Sequence, residues 1–183
     1  MKSLFTIHAG EFVLGDFIGR KFRDRVNLWV PARDTGIDFL VTDSKNRKTV
    51  SLQVKSSRDY PPQHLSIGLR KSLACGGWKI NRQKLADSKA DYWVFVLMGF
   101  ERRSPDFVVI KPSELLKRLD DIHGKAKATI WSYLWVTEAK RCWETRGLKR
   151  SEERAIAQGQ YSNEIRDFSR HLMKDWSFIK ALN

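Results

Sequence analysis

The sequence predicts an α/β fold: a mixed sheet of four or five strands flanked by helices, with a helical region at the C-terminus. Three features predict it. Gly36 to Ser56 reads as two strands around a polar turn. Tyr92 to Phe100 is almost unbroken hydrophobe, the pattern of a strand covered on both faces. Pro112 to Ile122 places Leu115, Leu116 and Leu119 on one side of a helix, with Pro112 suited to its first turn.

The remaining elements follow in chain order. Residues 3–22 repeat apolar side chains (Leu4, Phe5, Ile7, Phe12, Leu14, Phe17, Ile18, Phe22) at roughly helical spacing, weakened by Gly10, Gly15 and Gly19. Small residues there let a helix lie close to a sheet. Val26 to Pro31 reads as a short strand. Ser44 to Arg47 is a hairpin turn by composition. Ser57 to Gly77, with Pro61–Pro62 and Gly76–Gly77, reads as one long polar connection that could close over a substrate or be turns alone. Trp78 to Ile80 suits a short strand and Asn81 to Ala90 a short helix. Asp106 to Lys111 reads as a strand antiparallel to its neighbour, and Thr129 to Val136 as a strand or extended edge. Residues 139–160 are basic and polar, a helix or a mobile stretch. Ile165, Phe168, Leu172, Trp176 and Ile179 recur at three and four, predicting a helix over about 163–182 that packs on the body or on a partner chain. The organisation expected is therefore a core over 1–138 and a helical extension over 139–183.

Composition narrows the function classes. A chain of 183 residues can bury a real core as one domain. No apolar run approaches the roughly 20 residues that span a bilayer. The N-terminus is interrupted by His8, Glu11 and Asp16 and does not read as a signal peptide. A cytoplasmic protein with no membrane partner is expected. Cys75 and Cys142 have no CxxC spacing and read as reduced core thiols. The formal charge is +13. Residues 20–90 hold 16 basic and 6 acidic side chains, whereas 91–138 sum to zero. The excess thus surrounds the hairpin, where it would attract nucleic acid. The bland alternative is a merely soluble cation.

The hairpin carries the chemistry. Side chains alternate along a strand, so Thr49, Ser51, Gln53 and Lys55 share one face and Val50, Leu52 and Val54 the other. Asp38 lies within the apolar run of the preceding strand. Set beside Gln53 and Lys55, it would gather a carboxylate, an amide oxygen and a cation around one point, a site for a hard divalent metal and a phosphate. The alternative for Gln53 and Lys55 is the exposed face of an edge strand. Glu11 reads equally as a first-turn helix carboxylate or a further metal ligand. Asp34 reads as a turn former before it reads as a ligand.

Glu11 in Gly10-Glu11-Phe12, Gly36-Ile37-Asp38, and Gln53-Val54-Lys55-Ser56 at a spacing of 15 residues after Asp38 together resemble the PD-(D/E)xK nuclease superfamily. The nearest pattern is that of members with glutamine in place of the second acid, which include intron-encoded homing endonucleases and bacterial relatives. The resemblance spans about residues 8–111. It implies a restriction-endonuclease-like core, and an endonuclease that hydrolyses DNA phosphodiesters with Mg²⁺, for which Mn²⁺ could substitute. It implies Asp38 as principal metal ligand, with Gln53 or the Val54 carbonyl and Glu11 completing the set. Lys55 would hold the attacking water and offset charge on phosphorus. A neutral Gln53 weakens the cage and disfavours two metals. Arg33, Ser56, Ser57, Arg58, Arg70, Lys71, Lys79 and Arg82 are the side chains expected to meet the polymer, DNA first, with RNA left open. Cutting both strands takes two sites, so a homodimer or homotetramer is expected, with the C-terminal helix as a candidate interface.

Other chemistries fit less well. His8, His64, His123 and His171 have no metal-ligand spacing, and there is neither a GxSxG nor a P-loop. The seven tryptophans read as core, with Trp78 and Trp143 as outside candidates for stacking on bases. Two rival functions stand: a silent nucleic-acid-binding or regulatory protein with the same fold, and a protein-interaction module whose charge is incidental.

Overall fold

A computed structural model of the chain describes residues 8–33, 35–99, 104–172 and 176–182. Helix α1 (Ala9–Phe22) comes first; residues 3–7 of the expected helix lie outside the described residues. Leu14, Ile18 and Phe22, four apart, form its buried stripe. Strands β1 (Val26–Trp29), β2 (Phe39–Asp43) and β3 (Thr49–Ser57) follow as an antiparallel meander. The β2–β3 turn is fixed by the Asp43 carboxylate, which accepts the N–H groups of Arg47 and Lys48 at 2.5 and 3.1 Å.

Strand β5 (Tyr92–Leu97) lies parallel to β3, and β6 (Asp106–Ile110) returns antiparallel to β5. The order is β1-β2-β3-β5-β6, a five-stranded mixed sheet. β5 is an inner strand buried from Trp93 to Leu97, as its hydrophobic run requires; Phe100, its expected end, lies outside the described residues. Helix α4 (Pro112–His123) buries Leu115 and Leu119.

A second sheet departs from expectation. β4 (Leu73–Asn81), β7 (Thr129–Thr137) and β8 (Cys142–Glu144) make a three-stranded antiparallel sheet in the order β4-β7-β8. The long connection expected from Ser57 to Gly77 is therefore shorter: it holds α2 (Ile67–Lys71), and the next strand begins at Leu73. Gly76 and Gly77 look like breakers but lie inside β4. Aromatic rings occupy the space over them. A Cβ on Gly76 would stand 2.3 Å from the Trp78 ring, and one on Gly77 2.7 Å from the Tyr133 ring. Helix α3 (Arg82–Ala86) is shorter than expected, capped by the Asn81 side chain, which accepts the Lys84 N–H at 2.9 Å.

Past residue 139 come β8, α5 (Arg150–Ala157), a 3₁₀ turn over Ser169–His171 and α6 (Ser177–Lys180). The helix expected over 163–182 is not what the described residues form; 173–175 lie outside them. Phe168 and Leu172 enter the core on one face of the five-stranded sheet, with Phe95, Val108 and Ile110. Trp176, Ile179 and Leu182 enter on the other face, with Leu14, Val94 and Val109. The spacing of three and four thus reflects insertions on two sides of a sheet, not one helical stripe. The expected interface helix is accordingly spent inside the protomer, and Ile165, 54% exposed, is the member left outside.

The layers are α1 with the C-terminal residues, then the five-stranded sheet, then the three-stranded sheet with α4. Both cysteines are free and buried. Among the described residues no helix is long and apolar enough to cross a membrane.

Candidate active site

The site lies where β3 outruns β2. Their paired residues run from Thr42–Thr49 to Phe39–Leu52, and the last main-chain bond joins Asp38 N–H to Leu52 O at 2.8 Å. Residues 53–57 of β3 continue beside β5 alone. Peptide groups alternate in direction along a strand, so Val54, like Leu52, turns its N–H and carbonyl toward the side β2 has left. The Asp38 carboxylate takes that N–H at 2.7 Å. The Asp38 N–H bond to Leu52 O sets Asp38 beside Leu52 at the end of the β2–β3 ladder, one residue before Gln53, and its carboxylate reaches past Gln53 to Val54.

The alternation expected for β3 holds, but its polar face does not look into water. Gln53 and Lys55 are half-buried although they lie beyond the point where β2 leaves β3, so their stretch of β3 is an edge on that side but not an exposed one. Gln53 pairs with Trp93, and the Lys55 ammonium stands 5.1 Å from the Trp93 ring. Gly36, at φ +78°, brings the chain over Gln53; a Cβ there would stand 3.8 Å from Gln53 Nε2.

Helix α1 supplies Glu11. Gly10 lies directly on β3: a Cβ on it would come within 2.3 Å of the Ser56 Cβ. This close approach brings Glu11, 5% exposed, to the same place, where its carboxylate accepts the His8 N–H at 3.2 Å. Glu11, Gln53, Val54 and Lys55 line a single cleft of about 810 Å³, whose far wall is β4 and the region of α3. Its other charged lining is Lys79, Lys84 and Lys89 with Asp87, so cations outnumber acids and the cleft favours anions. Among the described residues no three His, Cys, Asp or Glu side chains gather as a metal site.

The expected nucleic-acid contacts divide. Lys79 lines the cleft and is exposed. Arg33, Ser56 and Lys71 are exposed outside its lining. Ser57 is structural: its hydroxyl accepts the Gly77 N–H at 2.9 Å and donates to the Arg58 carbonyl at 2.8 Å. Arg58 packs on Tyr60, and Arg70 donates to Gln63 at 2.8 Å. Arg82 is committed to the protein, bonding the Asp120 carboxylate and the carbonyls of Lys127 and Gly124. Asp34 lies outside the described residues. Lys84 and Lys89, within the stretch expected as a short helix over Asn81 to Ala90, join the cleft without having been expected to. Trp78 and Trp143 are buried, while Trp29 and Trp131, read as core, are 51% and 48% exposed. No protein-family model, no curated protein and no solved structure matches this chain.

Proposed function

We propose that the protein is a metal-dependent nuclease that hydrolyses DNA phosphodiesters in the cleft of Glu11, Gln53 and Lys55. The observation that carries this reading is the fork itself. Where β2 leaves β3, Asp38 holds Val54 N–H at 2.7 Å, and the residues on either side of Val54 present an amide and an ammonium to a cationic cleft that also takes Glu11.

The donors in the cleft would be the Glu11 carboxylate, the Gln53 amide oxygen and the Val54 carbonyl, with the Asp38 carboxylate beside them at the fork, outside the cleft lining, where one of its oxygens takes the Val54 N–H. An all-oxygen set of this kind suits Mg²⁺ or Mn²⁺. Such an ion would polarise the phosphate and acidify a bound water. The protein's own residues do the rest. Lys79, Lys84 and Lys89 draw the phosphate backbone into the cleft. Lys55, on the stretch of β3 paired with β5, sets its ammonium against charge gathering on the phosphoryl oxygens. Gly10 and Ser56 fix the distance from Glu11 to β3. A cut through both strands takes two such sites, hence two copies of the chain.

A silent nucleic-acid-binding protein is the second reading, favoured by a donor set with only two carboxylates. One experiment separates them. Supercoiled plasmid is incubated with Mg²⁺ and the parent, Lys55→Ala or Asp38→Asn. Nicking by the parent alone supports the nuclease. Equal nicking by all three, or none by a parent that still shifts DNA at low salt, sinks it.

A further inference from the structure

The outer face of the three-stranded sheet is covered at one end only. Its inner face, with Trp78, Ile80, Ile130 and Leu134, packs on the five-stranded sheet. At one end of the outer face Cys75 and Trp135 are sealed by Leu65 and Ile156. The other end is open: Trp131 is 48% exposed, and Lys79 and Asn81 are exposed. Trp131 and Tyr133 are two residues apart on β7 and so share this face. Each has a cation beside it. Lys79, the cross-strand partner of Trp131, puts its ammonium 5.9 Å from that ring, and the Arg146 guanidinium lies 5.5 Å from the Tyr133 ring. Gly77, opposite Tyr133, leaves room for the ring to lie down across the sheet. Lys79 and Asn81 also line the cleft of Lys55, so the open end and the cleft adjoin along this end of β4.

We infer that this open end is a stacking platform for unpaired bases, and that the substrate is single-stranded DNA, or the single-stranded arm of a branched one, running from Trp131 past Lys79 into the cleft. The part of this that concerns cleavage rests on the nuclease reading; the platform does not. Aromatic faces bind any base that is out of a duplex, and neighbouring cations take its phosphates. A base inside a duplex has both faces occupied by its neighbours, so Trp131 has nothing to offer it.

The test uses the full chain without divalent metal, so that nothing is cut. Fluorescence anisotropy measures binding to a labelled oligothymidylate and to a labelled duplex of equal length. The parent is expected to prefer the single strand. Trp131→Ala should weaken single-strand binding by about fivefold or more while moving duplex binding by less than about twofold, and Trp131→Phe should recover most of the loss. Thermal unfolding of each variant checks the fold. Undiminished single-strand binding by Trp131→Ala, or equal losses on both ligands, overturns the platform. Cleavage is read separately, with Mg²⁺ and circular single-stranded DNA beside the plasmid. A parent that cuts either DNA while Trp131→Ala binds single strands normally refutes the platform and keeps the nuclease. A parent silent on both DNAs, with a selective Trp131 defect in binding, refutes the nuclease and keeps the platform.

Discussion

Asp38 is asked to do two things, and they can be pulled apart. Its carboxylate accepts the Val54 N–H at 2.7 Å, a charge-assisted bond to a main-chain group with no strand partner on that side. Val54 is 7% exposed, so the N–H cannot be handed to bulk water cheaply. Asp38→Ala leaves this donor unsatisfied and should cost about 1–3 kcal/mol of unfolding free energy. Asp38→Asn keeps an oxygen acceptor without the charge and should cost roughly 0.5–1 kcal/mol. Cleavage should vanish in both, because each removes one of the two carboxylate charges that would hold a divalent ion. Asp91 supplies the control. It holds the other end of β3 through the Ser51 N–H at 2.8 Å and the Ser51 hydroxyl at 2.7 Å, outside the cleft. Asp91→Ala should lose about 1 kcal/mol and still nick plasmid. Urea unfolding followed by tryptophan fluorescence gives the stabilities, with m unchanged if the native state is intact. An Asp38→Ala protein as stable as the parent would refute the fork as a hydrogen-bonded structure. An Asp38→Asn protein that cuts at the parental rate would refute its chemistry.

Three further outcomes follow from the packing. Gly10→Ala should destabilise by about 1–3 kcal/mol, since its Cβ would sit 2.3 Å from that of Ser56, and Ser56→Gly in the same chain should restore part of the loss in a double-mutant cycle. Glu144, fully buried, accepts from Arg166 at 2.8 Å and stands 3.1 Å from His123 Nε2; Glu144→Gln leaves the guanidinium without its anion and should cost about 3–5 kcal/mol by thermal or urea unfolding. Burial lowers the pKa of His171 to about 4, and Arg170 donates to its Nε2 at 3.1 Å, so the ring is neutral at pH 7 even though Glu114 lies 3.5 Å from the same nitrogen. A depressed folded-state pKa gives stability that is present above the unfolded value near 6.5 and is lost as pH falls toward 4. The loss should be no more than about 3 kcal/mol and should shrink in His171→Asn; a parent with flat stability across that window refutes it.

Much of the fold was legible because it is written locally. The alternation of β3, the unbroken run of β5 and the Leu115–Leu119 stripe of α4 are short-range patterns, and each became the element it implied. The failures are of one kind. Gly76–Gly77 reads as a break unless it is known that the Trp78 and Tyr133 rings fold over it, and Tyr133 is more than fifty residues away in sequence. Leu172 and Trp176 read as neighbours on a helix unless it is known that the chain passes from one face of a sheet to the other between them. Both depend on tertiary partners that periodicity cannot see.

The candidate site shows the same division. Gln53 and Lys55 on one face followed from strand period alone, and Asp38 near the same end of the hairpin followed from its length. Their surroundings did not follow, because β4 and α3 reach them through the second sheet. The site nonetheless has a single structural origin. An inner strand that outlasts one of its neighbours leaves peptide groups bare along that side, and a bare N–H beside a buried core must find an acceptor. Here the gap is met twice: Asp38 bends back to Val54, and the first turn of α1 lies on Ser56 through a glycine. Each response carries a carboxylate to residues 53–57, one as the acceptor itself and one, Glu11, as the residue after that glycine. Lys55 stands one residue past Val54, its ammonium over the Trp93 ring. The same five residues that leave the ladder carry the amide and the amine, so a change that let β2 pair with Val54 would displace Asp38 from its N–H and is expected to abolish the proposed cleavage.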